Sequence, residues 1–238
     1  MADTYALKEY YIKYLKEVRG VKDSTVKHYL DAINYISKYL AEQRKIESSV
    51  YEITDIGELE IIKTYLSTDA SFRELDKRGH QMYSAGMNNY YKFATGESFV
   101  KKDEHVDVLD IALPAKDIKK VEKNIASRST IIKTQAIKSA KYECEIDETH
   151  KTFIAKSSGN PYMEGHHAIP MMKQQQFENS LDIYANVVCL CPICHRLLHY
   201  GMDSEKEILV KKIYFDRADR LANSGIKLSQ DEFERMAI

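Results

Sequence analysis

The 238-residue sequence holds no apolar run near the roughly 20 residues that a membrane-crossing helix needs. Nothing in it reads as a membrane span, and no membrane partner is expected. Its opening residues, Met1-Ala2-Asp3-Thr4-Tyr5, lack the charged-then-apolar pattern of a secretory signal. An excess of charge of either sign is missing too, since 35 Lys and Arg stand against 36 Asp and Glu for a net charge of -1. Affinity for a polyanion must then come from local patches, because the chain as a whole is not drawn to one. Cysteine is scarce, with four in the chain, which excludes the disulfide scaffold of small secreted domains and fits a reducing compartment. The expectation is a cytoplasmic protein, long enough for a sizeable core and for two domains.

The residues that carry chemistry are concentrated between Cys144 and His199. Cys191 and Cys194 form a C-x-x-C pair, the knuckle that offers zinc two thiolates from one tight turn. Two further ligands must come from elsewhere, and Cys144 and His150 are the nearest upstream candidates. Asp147 stands where a second C-x-x-C would place its cysteine, so it competes with His150 for the fourth position, although carboxylate is a harder ligand than imidazole. The favoured closed site is Cys144, His150, Cys191 and Cys194. Cys189 lies in the apolar run Val187-Val188-Cys189-Leu190 and reads as a small buried hydrophobe. His195 and His199 are four apart, which on a helix stacks them on one face. Cys194, one residue before His195, then points about 100° away around that helix. One short helix can serve two sites.

The full order is Glu164-Gly165-His166-His167-Ala168-Ile169-Pro170, then Asn186, then Cys191-Pro192-Ile193-Cys194-His195, then His199. From Cys144 to Gly201 the chain resembles the HNH endonucleases, the ββα-metal fold, in the branch whose finger is stapled by zinc. The resemblance implies two strands, a loop and a helix. By position it implies His166 as first metal ligand, His167 as general base, and Asn186 as the asparagine that braces the loop and so orients the base. It implies His195 as the second metal ligand and His199 as a third, found in histidine-rich members. The departure from the pattern is the missing cysteine at position 147.

Those residue types suit phosphodiester hydrolysis. A neutral imidazole accepts a proton near pH 7, so His167 is the candidate to activate water. Three imidazoles suit Ni²⁺, Co²⁺, Zn²⁺ or Mn²⁺ better than Mg²⁺, which serves if phosphate and water complete its shell. Glu164 is read either as a carboxylate that orients a histidine or as a polar residue on an alternating strand. Arg196 is a candidate phosphate contact beside the site. Double-stranded DNA is the expected partner. One histidine constellation cuts one phosphodiester at a time, so a homodimer is the economical way to break a duplex.

Residues 116–141 form a basic run in which Lys116, Lys119, Lys120, Lys123, Arg128, Lys133, Lys138 and Lys141 face only Asp117 and Glu122. Beside a nuclease module it reads as a basic helix in contact with phosphate, notably through Lys133, Lys138 and Lys141. Ser129 is placed to cap a helix running to Ala140. The amino-terminal part shows helical periodicity over Tyr5 to Val18, from Asp23 to Leu40, Glu52 to Tyr65 and Tyr83 to Phe93, with Gly79 and Gly86 as weak points. Its many tyrosines are read as core.

The fold expected is mainly α with a small α+β part: a bundle of four or five helices at 1–95, a linker at 96–115, and an HNH domain at 116–238. The helical domain would engage DNA or a partner. Restriction or phage defence is the expected role, with a homing or recombination nuclease, or a noncatalytic zinc-stapled DNA-binding module, as alternatives.

Overall fold

The computed structural model describes residues 5–97, 109–114 and 129–237, and the chain divides into two compact units, Met1–Ser98 and Phe99–Ile238. Lys116, Lys119, Lys120, Lys123 and Arg128 of the basic run lie outside the described residues. No helix among the described residues is long and apolar enough to cross a membrane.

The first unit is helical. Helix α1 (Ala6–Lys13) runs on through the wider turn Tyr14–Val18, and α2 (Asp23–Glu42), α3 (Ile56–Thr68), α4 (Ala70–Arg78) and α5 (Met82–Ala94) follow. On α2 the buried Val26, Ile33, Ile36 and Leu40 form one stripe, the face that a helix turns to a core. That stripe packs on α5, and Gly86 is what allows the approach: a Cβ there would lie 2.6 Å from the Ala32 Cβ. The glycine that weakens α5 by propensity thus serves its packing.

The helix expected from Glu52 begins later because the Asp55 side chain accepts from the Glu58 N–H at 3.0 Å, setting the cap at position 55. Helix α4 was not expected, since its buried side chains are only Phe72 and Asp76 and leave no apolar stripe to read. Asp69 caps it, accepting from the Phe72 N–H at 2.7 Å. Tyr10, Tyr11 and Tyr14 are buried in the core with Tyr90 and Phe93, whereas Tyr35 is exposed and stacks on Tyr83.

The second unit is a small sheet held between helices. Strand β1 (Glu164–His167) pairs antiparallel with β2 (Val187–Leu190), with His166 opposite Val188 and His167 opposite Val187. Helix α6 (Thr130–Ser139) packs on both strands, capped by Ser129, whose Oγ accepts from the Ile132 N–H at 3.2 Å. Helix α7 (Pro192–Tyr200) follows β2 directly, with α8 (Asp203–Asn223) and α9 (Gln230–Ala237) behind it. The order strand, strand, helix is the one expected for this half of the chain.

Two polar devices tie the long helix to the sheet. The Arg217 guanidinium on α8 is buried, pairs with Glu145 and donates to the Tyr184 carbonyl at 3.4 Å. Glu145 in turn bonds Cys189 through the backbone and through its carboxylate, so the strand, the finger and α8 are joined at one point. Cys189 itself is fully buried, and burial pushes its thiol well up. Residues 109–114 read as linker by composition. They pack instead within the second unit, where Leu109 and Leu113 are buried and Arg220 donates to the Asp110 carboxylate at 2.6 and 3.1 Å. Two leucines four apart suffice to anchor so short a segment, and composition alone does not show that.

Candidate metal centres

Alternation along β1 sends Glu164 and His166 to one face, and Gly165 and His167 to the other. On the first face His166 meets α7, where His195 and His199 are one turn apart. The three rings stand edge to face, with centroids 4.7 to 5.1 Å apart. One nitrogen from each lies within 4.8 Å of the others. His199 is exposed and the other two partly so, leaving one side of the cluster open to solvent. Open, three-ligand sites are the catalytic kind, because a position remains for water or substrate. The donor set therefore fits a divalent transition metal.

Glu164 reaches the Nδ1 of His195 and accepts from the Tyr162 hydroxyl at 3.1 Å. This contact fits the first of the two readings that the strand allowed, since a carboxylate at one nitrogen of a ligating histidine leaves the other for a metal. Burial lowers the pKa of His195, with Glu164 opposing that shift and His199 and Arg196 adding to it. The net result favours the neutral imidazole that ligation requires.

A second cluster lies at the other side of α7. Cys144, His150, Cys191 and Cys194 bring their ligand atoms within 4.8 Å of one another, with all three cysteines buried. The His150 Nδ1 is 3.5 Å from both the Cys191 and the Cys194 sulfurs. Three thiolates and an imidazole make a closed set that fits structural zinc. Burial pushes the Cys144 thiol up, but N–H groups of Cys191, Asp147 and Ile146 and the His150 ring together bring it down to about 7. Asp147 is not among the four donors. Its Oδ1 accepts from the Thr149 N–H and hydroxyl at 2.8 and 2.7 Å, and its Oδ2 is 3.6 Å from the far nitrogen of His150, on the side of the ring away from the sulfurs.

Asn186 is fully buried below the sheet. Its Oδ1 accepts from the Ile169 N–H at 2.7 Å, and its Nδ2 donates to the Ile169 and Leu181 carbonyls at 2.9 Å. Both ends of the loop between the strands are thereby pinned. His167, on the opposite face of β1 from His166, is 6% exposed, and its Nε2 lies 2.9 Å from Asp182 Oδ1. Its Nδ1 is buried with no hydrogen-bond partner among the described residues. Asp182 was missed in the sequence. It follows Ser180-Leu181 in an irregular segment, and fifteen residues separate it from His167 with no motif between them.

Of the basic candidates, Lys133 lies over Gly165, where a Cβ would meet its Cγ at 3.1 Å. It therefore borders the strand that carries His166. Lys138 is partly buried on α6, and Lys141 is exposed just past its end with a φ of 55°. Arg196 is exposed on α7, its guanidinium 6.0 Å from the Tyr200 ring centre.

These features define a strand–strand–helix unit carrying one open and one closed cluster that could each hold a metal ion. The chain is similar to the type IV methyl-directed restriction enzyme EcoKMcrA of Escherichia coli (strain K12), with 33% identity over 87 residues. The match takes in 37% of this chain and 28% of that enzyme, so it spans well under half of either protein. No protein-family model matches the chain. No solved structure matches it.

Proposed function

We propose that this protein is a metal-dependent endonuclease of the HNH type, acting on double-stranded DNA in restriction or phage defence. The observation that carries the reading is the meeting of His166, His195 and His199 on one face of β1 with His167 on the other, one residue away. The partial similarity to a methyl-directed restriction enzyme supports it.

A divalent ion held by the three imidazoles would supply charge stabilisation at the phosphate and the leaving 3′ oxygen. His167 takes the proton from the attacking water as the P–O3′ bond breaks, and the departing 3′ oxygen takes a proton from solvent water, leaving 5′ phosphate and 3′ hydroxyl ends. Asn186 keeps the loop around the base from shifting, and Glu164 keeps His195 aimed at the ion. Cys144, His150, Cys191 and Cys194 would hold zinc, which would staple the finger on which α7 presents His195 and His199. Arg196 would meet the phosphate backbone from α7, and Lys133 from the Gly165 and His167 face of β1.

The test is cleavage of methylated and unmethylated plasmid by purified protein across Mg²⁺, Mn²⁺, Co²⁺, Ni²⁺ and Zn²⁺. Metal-dependent nicking or linearisation that His195→Ala abolishes is expected. DNA binding without cleavage in every metal would leave the noncatalytic reading instead.

A further inference from the structure

Asp182 holds two donors at once. Its Oδ1 faces His167 Nε2 at 2.9 Å, and its Oδ2 accepts from the Ser129 backbone N–H at 3.0 Å. The residue before it is pinned at both its backbone groups: the Leu181 N–H donates to Gln174 Oε1 at 2.7 Å, and the Leu181 carbonyl accepts from Asn186 at 2.9 Å. A further bond runs from the Asp182 N–H to Ser180 Oγ at 3.2 Å. A carboxylate that merely happened to lie near a histidine would not have its second oxygen on a backbone N–H and its own backbone held as well.

A carboxylate only accepts hydrogen bonds, so the neutral His167 ring that meets it must carry its proton on Nε2. Nδ1 is then the lone-pair nitrogen. It is buried and without a partner among the described residues. With the ring proton directed to Asp182, Nδ1 is the ring's one remaining acceptor.

We infer that Asp182 is the positioning residue for His167: anchored by the Ser129 N–H, it fixes the ring tautomer so that Nδ1 is the proton acceptor. The inference rests on the nuclease reading for the role of His167, but not for the tautomer. The Ser129 N–H makes the requirement sharp. Asparagine at position 182 has one acceptor oxygen for two donors. With that oxygen on Ser129, its amide NH₂ faces His167 Nε2 and donates to it. The ring must then carry its proton on Nδ1, and the base is blocked. Placing the NH₂ toward Ser129 instead would set donor against donor.

The experiment uses zinc-loaded, full-length protein with ¹⁵N-labelled histidine. The ring-nitrogen signals of His167 are assigned by their loss in His167→Ala and read in wild type and in Asp182→Asn. Wild type should show the proton on Nε2 and Asp182→Asn on Nδ1. In the same variant kcat should fall on the order of 10²-fold or more, with KM for DNA and zinc content kept, since a base in the wrong tautomer is lost as a base. Asp182→Glu should recover part of kcat. Adding Asp182→Asn to His167→Ala should cost nothing further. A wild-type proton on Nδ1, an unchanged tautomer in Asp182→Asn, or unchanged kcat with a changed tautomer would each overturn the inference. Because the tautomer is read without substrate, a wild-type protein that cleaves nothing counts against the nuclease reading alone.

Discussion

His166 and His167 are neighbours in the chain and serve opposite faces of the same strand: His166 meets His195 and His199, and His167 meets Asp182. The two-residue period of a β-strand makes this unavoidable. A paired histidine on a strand therefore presents one ring to each face, and on the proposed reading these are a ligand on one side and a base on the other.

Replacing the base should separate chemistry from binding. His167→Ala is expected to lower kcat by about 10²-fold or more while DNA affinity and both metals are retained. It also removes the donor from Asp182, so stability should fall by about 1–3 kcal/mol, visible in urea titration. Wild-type turnover in a folded variant would remove His167 from the mechanism.

The two clusters should respond differently to mutation. Cys191→Ser takes a buried ligand from the closed site and should lower both zinc content and melting temperature, because structural zinc binding is coupled to folding. His195→Ala should leave zinc in place and cost activity. Elemental analysis that finds no tightly held zinc in active protein would defeat the closed site.

Glu164→Gln should weaken metal binding at the open site by about 10- to 100-fold, the usual cost of losing a carboxylate behind a ligating histidine. Calorimetric titration of Mn²⁺ or Ni²⁺ reads this directly. Acid should matter as well. The folded pKa of His195 lies below its ordinary value, so the folded protein holds fewer protons than the unfolded chain. Metal-free stability is then lost as pH falls below about 6.5, and none of that loss is expected above it. Melting curves of metal-free protein between these limits should slope accordingly, and a flat profile would contradict the assignment.

Arg217→Ala should be among the most destabilising single changes in the second unit. It leaves Glu145, which still accepts from the Cys189 N–H, without its ion-pair partner; with the carboxylate 30% exposed, solvent screens part of the cost, which should fall below the roughly 3–5 kcal/mol of a fully buried pair. Pairing Arg217→Met with Glu145→Gln should recover much of the loss. If Arg217→Ala unfolds at the wild-type urea midpoint, the pair contributes nothing.

Much of the candidate site was legible because metal ligands follow local geometry. The four-residue step from His195 to His199 and the C-x-x-C of Cys191 and Cys194 are short-range patterns, and a short helix realises both. The pairing of Cys144 and His150 with that knuckle was expected from residue type, with Asp147 as the competitor for the fourth position, and the four donors do converge. Asp147 is taken up by Thr149 and the far side of His150, a choice made by a turn of three residues. Helix periodicity likewise located α1, α2, α3 and α5, while α4, with hardly a buried stripe, stayed silent.

The chemical inventory, the helical character of the first unit and the strand–strand–helix order of the second are properties of the sequence by itself, because each depends on residues within a few positions of one another. Tertiary structure alone decided the rest. It brought Asp182 to His167 and Arg217 to Glu145, drew the leucines of 109–114 into the second unit, and set Ala32 against Gly86. Those contacts join segments whose separation carries no periodic signal, and they form only when burial of apolar surface has brought distant backbone together.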